Sequence, residues 1–194
     1  MGLFSKSKIE GDELQSCLDY YEAELMVTKF QTREADLFNN TLVKYLNSIT
    51  EDPVAAAEVC KAANRLVQSA HEVIRRHETI QPIPDAALAA RCAWSVTFLS
   101  LKAWAEATLS AMEALSNGMK PNYAYVQNLL RENQLAQCKA QEEDKRFLRR
   151  LKLSAAEINK MLNKINDIEA TDDWQPKPSA YDFSEAVKTP QEGR

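Results

Sequence analysis

DAALAARCAWSVTFLSLKAWAEATLSAMEALSN, residues 85–117, decides the fold class. Trp94, Phe98, Leu101, Ala105, Thr108, Met112 and Leu115 recur at alternating spacings of four and three, the period of one helical face. Leu88, Cys92, Val96, Leu99, Ala103, Trp104 and Ala107 fill much of the remaining circumference. A helix that is apolar nearly all round needs cover on more than one side, so other helices must surround it. Arg91, Lys102, Glu106 and Glu113 interrupt it, and no uncharged run reaches the ~18 residues that suggest a membrane span. Asn117-Gly118 stops the helix, since glycine readily adopts the left-handed conformation of a C-terminal cap.

The flanking segments supply the cover. Helix two is expected over about Pro53–Glu78, with one row of Ala56, Cys60, Ala63, Val67, Ala70 and Ile74 and a second of Val59, Leu66, Val73 and Ile80. Asp52 and Pro53 suit its start, and Pro82 and Pro84 force an extended connector to Asp85, placed to cap helix three. Helix one is expected from about Asp12 to Ile49, along Leu14, Leu18, Tyr21, Leu25, Ala35, Leu42, Leu46 and Ile49, with Thr28, Thr32 and Asn39 in its middle. Helix four is expected from Asn122 to Ala170, with Phe147, Leu151, Ser154, Ile158, Met161, Ile165 and Ile168 on its distal seam. The expected architecture is all-α: an up-down-up-down bundle of four long helices, the first and last longest, with a mostly irregular C-terminal tail. The parts are a flexible N-terminus (1–11), the helical bundle (12–170) and a tail rich in proline and acids (171–194).

Composition narrows the chemistry. The 194-residue chain has four glycines, against an average usage of roughly 7 %, which leaves no phosphate-cradling loop or dinucleotide fingerprint. A formal charge of −4 argues against nucleic acid as a partner. Cys17, Cys60, Cys92 and Cys138 show no CxxC pair, so zinc spacings are missing and a reducing, cytoplasmic compartment is expected. MGLFSKSK lacks an apolar signal core, and Lys6 stands where a myristoylation pattern needs Ser or Thr.

The two histidines sit in HEVIRRHE, residues 71–78. Six positions put His71 and His77 roughly 240° apart around a helix, so they cannot share one metal. The residues three before them are Gln68 and Ile74, not the glutamates of a di-iron bundle. No metal and no cofactor are expected. His71-Glu72 followed by Arg75 resembles the phosphoacceptor box of sensor histidine kinases, although the arginine is shifted by one and Thr-Pro is missing. That resemblance implies phosphotransfer through His71. The plainer expectation is a histidine at the margin of its seam, with Arg75, Arg76 and Glu78 solvated.

Two further features bear on partners. KRFLRRLK offers Lys145, Arg146, Arg149, Arg150 and Lys152 to an anionic surface, while Phe147, Leu148 and Leu151 belong to the apolar face. Glu142 is placed to pair with Arg146, and a solvated charged face is the simpler reading. In the tail, Trp174, Tyr181 and Phe183 stand among prolines and acids with no local core, and are expected to bind a partner or fold back. Trp174 is expected to pack near the end of helix four, with residues beyond Phe183 mobile. No GxSxG elbow or inward carboxylate pair is apparent, so no enzyme is expected. Long helices of unequal length with a projecting end are similar in plan to BAR-type membrane-shaping dimers, which implies a membrane-binding dimer as the second reading. The first is a non-enzymatic helical interaction or scaffold protein, homodimeric, with an unidentified protein partner. The third is histidine phosphotransfer.

Overall fold

The computed structural model describes residue 9, residues 11–46 and residues 53–166. It is all-helical: α1 (Gly11–Leu46), α2 (Pro53–Thr79), a 3-10 turn (Asp85–Ala87), α3 (Leu88–Ser116), α4 (Tyr123–Leu151) and α5 (Ala155–Asn166). No strand occurs among the described residues, and no described helix is long and apolar enough to cross a membrane.

From α1 to α4 each helix lies on the next, α5 lies on α1, and the cross-helix pairs give the directions. Glu34 meets Arg65 and Glu24 meets His77, so α1 and α2 run antiparallel. His77 meets Phe98 while His71 meets Glu106, which reverses α2 against α3. Asn133 bonds Ser100 while Trp94 bonds Asp144, which reverses α3 against α4. The ring of Phe147 on α4 reaches Tyr20 and Tyr21 on α1.

The inward row of α3 follows the sequence reading. Trp94, Phe98, Leu101, Ala105, Thr108 and Met112 are all buried, as is Trp104. They are buried within one chain, so covering them needs no second copy. Met119 N donates to Ala114 O at 2.8 Å and Gly118 N to Leu115 O at 3.0 Å, closing α3 around Gly118 at φ +70°. That pair of bonds satisfies carbonyls the helix end leaves open, and the positive φ is cheap only for glycine. Asp85 makes no side-chain cap to α3; it opens the 3-10 turn that leads in.

Helix four departs from expectation. It ends at Leu151, with Lys152 left-handed at φ 54°, and a separate α5 begins at Ala155. Ser154 and Glu157 cap each other: Ser154 N donates to Glu157 Oε2 at 2.7 Å, and Glu157 N to Ser154 Oγ at 3.3 Å. This S-x-x-E box starts a helix more strongly than Ser154 serves in the middle of one. The α4 span is therefore 29 residues, equal to α3, and only α1, at 36, is longer. Leu153 and Met161 pack α5 against the α1 end of the core.

The register of α1 is also shifted. Its buried row is Cys17, Tyr20, Glu24, Val27, Gln31, Glu34 and Phe38, at strict three and four spacing. The expected seam through Leu14, Leu18, Leu25 and Ala35 lies beside it, half-buried, with Thr32 and Asn39 exposed. A reading that follows apolar residues steps around Glu24, Gln31 and Glu34. Other helices bring partners to both glutamates, Arg65 to Glu34 and His77 to Glu24, and Gln31 lies between them on the same inward row with its Oε1 unpartnered.

Candidate functional site

The interior at the α1–α4 end holds a polar cluster on four helices. Tyr20 Oη donates to Glu24 Oε2 at 2.6 Å within α1. His77 Nε2 on α2 lies 2.8 Å from Glu24 Oε1, an ion-pair distance rather than a well-aligned hydrogen bond. Arg91 on α3 is buried beside Tyr20. Trp94 Nε1 on α3 donates to Asp144 Oδ2 on α4 at 2.9 Å, and Asp144 Oδ1 is buried without a partner. Phe98 closes the cluster, stacked on Trp94 and edge-on to His77 at 4.9 Å.

Burial dominates its electrostatics. It pushes the Asp144 carboxyl up to about 7; the Trp94 bond opposes the rise and the Glu24 charge adds to it. Burial also raises the Tyr20 and Tyr21 phenols, helped by the carboxylates beside them, Glu24 at Tyr20 and Asp144 and Glu24 at Tyr21. All of these groups are enclosed, so the cluster can exchange protons among fixed partners but presents no face to a bulky substrate.

No inward carboxylate pair was legible because each acid was read with its charged neighbours. The available signal was the row itself. Val59, Ala63, Leu66, Ala70, Val73, His77 and Ile80 form an unbroken 4–3 series, with His77 in an inward position. Ala140, Asp144, Phe147 and Leu151 do the same on α4.

The two histidines diverge as their spacing requires. His77 is buried, whereas His71 is half-exposed, 3.7 Å from Glu106, which Lys102 also approaches. Arg75 and Arg76 are not simply solvated, since both bond Glu72. Burial raises the Glu72 carboxyl, but the two arginines outweigh it and hold it below the ordinary range. Among the described residues no three His, Cys, Asp or Glu side chains gather at metal-binding distances.

Lys145, Arg146, Arg149, Arg150 and Lys152 are all exposed on α4 and its cap. Arg146 pairs with Glu143, one turn away, instead of Glu142, and Arg150 Nη1 donates to Ala86 O at 3.3 Å. Phe147 and Leu151 are buried and Leu148 is half-buried, so the basic side chains occupy the outer half of the helix. Trp174, Tyr181 and Phe183 lie outside the described residues.

The outer face of α3 carries an uncharged, largely exposed row. Leu88 is 46 % exposed and Val96 and Leu99 are each 58 % exposed, with exposed Cys92 between them. Ala103, one turn further, is half-buried. No family model matches this chain, and neither does any curated protein or solved structure.

Proposed function

We propose that this protein is a non-enzymatic helical interaction protein, a four-helix up-down-up-down bundle that works in the cytoplasm as a homodimer and presents further surface to a protein partner. The observation that carries the reading is the outer row of α3. Leu88, Cys92, Val96, Leu99 and Ala103 follow at spacings of four, four, three and four, close to the seam by which helices pair with like helices. Single exposed apolar residues need no explanation, but a contiguous row on a soluble helix marks an interaction surface. Its small members, Cys92 and Ala103, let a second backbone approach closely.

Light scattering at micromolar concentration tests the reading. The wild type is expected to be a dimer, and Leu99→Glu to be a monomer with unchanged helical content. A monomeric wild type overturns the proposal. The tail contributes the partner contact through Trp174, Tyr181 and Phe183, so deleting residues 181–194 weakens partner capture while leaving the melting temperature nearly unchanged.

A second reading rests on Lys145, Arg149 and Lys152, which are exposed and outside the ion pairs of α4. They suit an anionic membrane surface, and co-sedimentation with anionic vesicles that fades as salt rises would favour it. The phosphotransfer reading has only the exposure of His71 behind it. Incorporation of phosphate from a small phosphodonor, lost in His71→Ala, would favour that one.

A further inference from the structure

We propose that Asp144 is a proton-operated latch: its protonated carboxyl keeps the C-terminal half of α4 seated on α1 and α3, and loss of the proton loosens that half. The inference is independent of the dimer reading. Its basis is the way α1 and α3 meet α4 around this one side chain. Asp144 is 8 % exposed, and among the described residues its carboxyl accepts one hydrogen bond, from Trp94 Nε1 to Oδ2. Oδ1 has no partner, and among the described residues Asp144 makes no salt bridge.

The groups that face it explain why an anion is poorly held. From α1 come the Glu24 carboxylate and the Tyr21 phenol, while Tyr20 and, from α2, His77 are held on Glu24. From α3 comes the Trp94 indole; Arg91, on the same helix, lies at Tyr20 with its Nη1 buried and unpartnered, and among the described residues makes no ion pair with Asp144. The basic residues of α4 itself, Lys145, Arg146 and Arg149, point to solvent. A neutral carboxyl in this position leaves one weakly polar atom uncovered, whereas a carboxylate leaves a charge next to another carboxylate.

The latch is local because of where Asp144 sits. Beyond it, α4 has only Phe147 and Leu151 fully buried before the left-handed turn at Lys152 ends the helix. Loosening this half uncovers Trp94, Tyr21 and Phe147 as an apolar surface, while the α2–α3 contact, the other side of the bundle, stays closed. The upward shift of the Asp144 carboxyl sets the direction. A group whose folded value is raised stabilises the closed form at low pH, and that contribution declines as pH rises from the unfolded value to the folded one. Opening should therefore increase by up to about tenfold per pH unit between about pH 5 and 7, and level off above that.

Hydrogen exchange on the full chain tests this, with rates corrected for the intrinsic pH dependence of exchange. Amides of residues 140–151 should open up to about a hundredfold more at pH 7 than at pH 5, while those of residues 63–73 change little. In Asp144→Asn, which keeps an acceptor for Trp94, the rise should vanish. An equal rise in Asp144→Asn, or an equal rise in both segments, overturns the latch. Should Asp144→Asn fail to fold, carbon NMR of the labelled aspartate carboxyl in the wild type decides. A midpoint near neutrality, moved higher in Trp94→Phe, supports the proposal, and a midpoint in the ordinary carboxylate range overturns it.

Discussion

The two ends of the core solve the burial problem differently. Around Phe38, Leu66, Trp104 and Met112 the interior is apolar, and the buried hydroxyls of Thr108 and Ser69 bond back to Trp104 O and Leu66 O in their own helices. The buried carboxylate beside that end, Glu34, is met by Arg65 and Arg33 at the rim. Around Tyr20, Phe98 and Phe147 the interior instead encloses Glu24, His77, Arg91 and Asp144. Apolar burial is non-directional, so the first end gains stability from any well-fitted register. The second end gains less per group, but its cross-helix contacts, Glu24 with His77 and Trp94 with Asp144, form only when the paired helices stand at one register. Stability and alignment are thus concentrated at opposite ends.

The largest effect should come from hollowing the apolar end. Phe38 is fully enclosed and meets Trp104 edge-on at 5.7 Å. Phe38→Ala should cost about 3–5 kcal/mol in denaturant unfolding, the usual range for an enclosed aromatic. A cost below about 1 kcal/mol would show that this end is loosely packed and that the contrast is false.

Next is the polar end, where the prediction has two parts. Glu24→Ala should cost about 3 kcal/mol or more, because it strands His77 and the Tyr20 hydroxyl in the core. Replacing Glu24 and His77 together by apolar residues of similar volume should be nearly neutral, since the desolvation cost of both groups disappears with their attraction. If the double variant loses as much as the single one, the pair is a net source of stability and the proposed division between the ends is wrong.

At the rim the expected change is smaller. Arg65 is half-exposed, and Glu34 keeps Arg33, so Arg65→Ala should cost no more than about 1 kcal/mol. Burial raises the Glu34 carboxyl, but hydrogen bonds and charge from Arg65 and Arg33 hold it below its ordinary range. Its contribution is therefore present at neutral pH and lost as pH falls through its depressed folded value. That is opposite in sign to Asp144, and pH-dependent unfolding of Arg65→Ala should show a shallower acid limb than wild type.

His71→Ala should do least, within about 0.5 kcal/mol by thermal or chemical unfolding, because the side chain is half-exposed and Glu106 retains Lys102. His77→Ala should cost several times more. The pair makes the same comparison in one residue type: identical chemistry, opposite faces of α2.

Sequence periodicity determined the helical class, the bounds of α2, the inward row of α3 and its stop at Gly118, but not the 3-10 turn that precedes α3. These follow from local spacing and from turn chemistry, which act within a few residues. The break at Lys152 was also locally encoded, in the Ser154–Glu157 capping box, although the apolar seam running through it masked the signal. The register of α1 and the polar interior were decided only by the tertiary structure. Nothing near Glu24 in the chain marks it as buried, because its partner His77 is 53 residues away. Asp144 likewise reads as one of three consecutive acids until Trp94, 50 residues distant, donates its indole N–H. An acid turns inward when a partner waits there, and only the packed helices bring that partner.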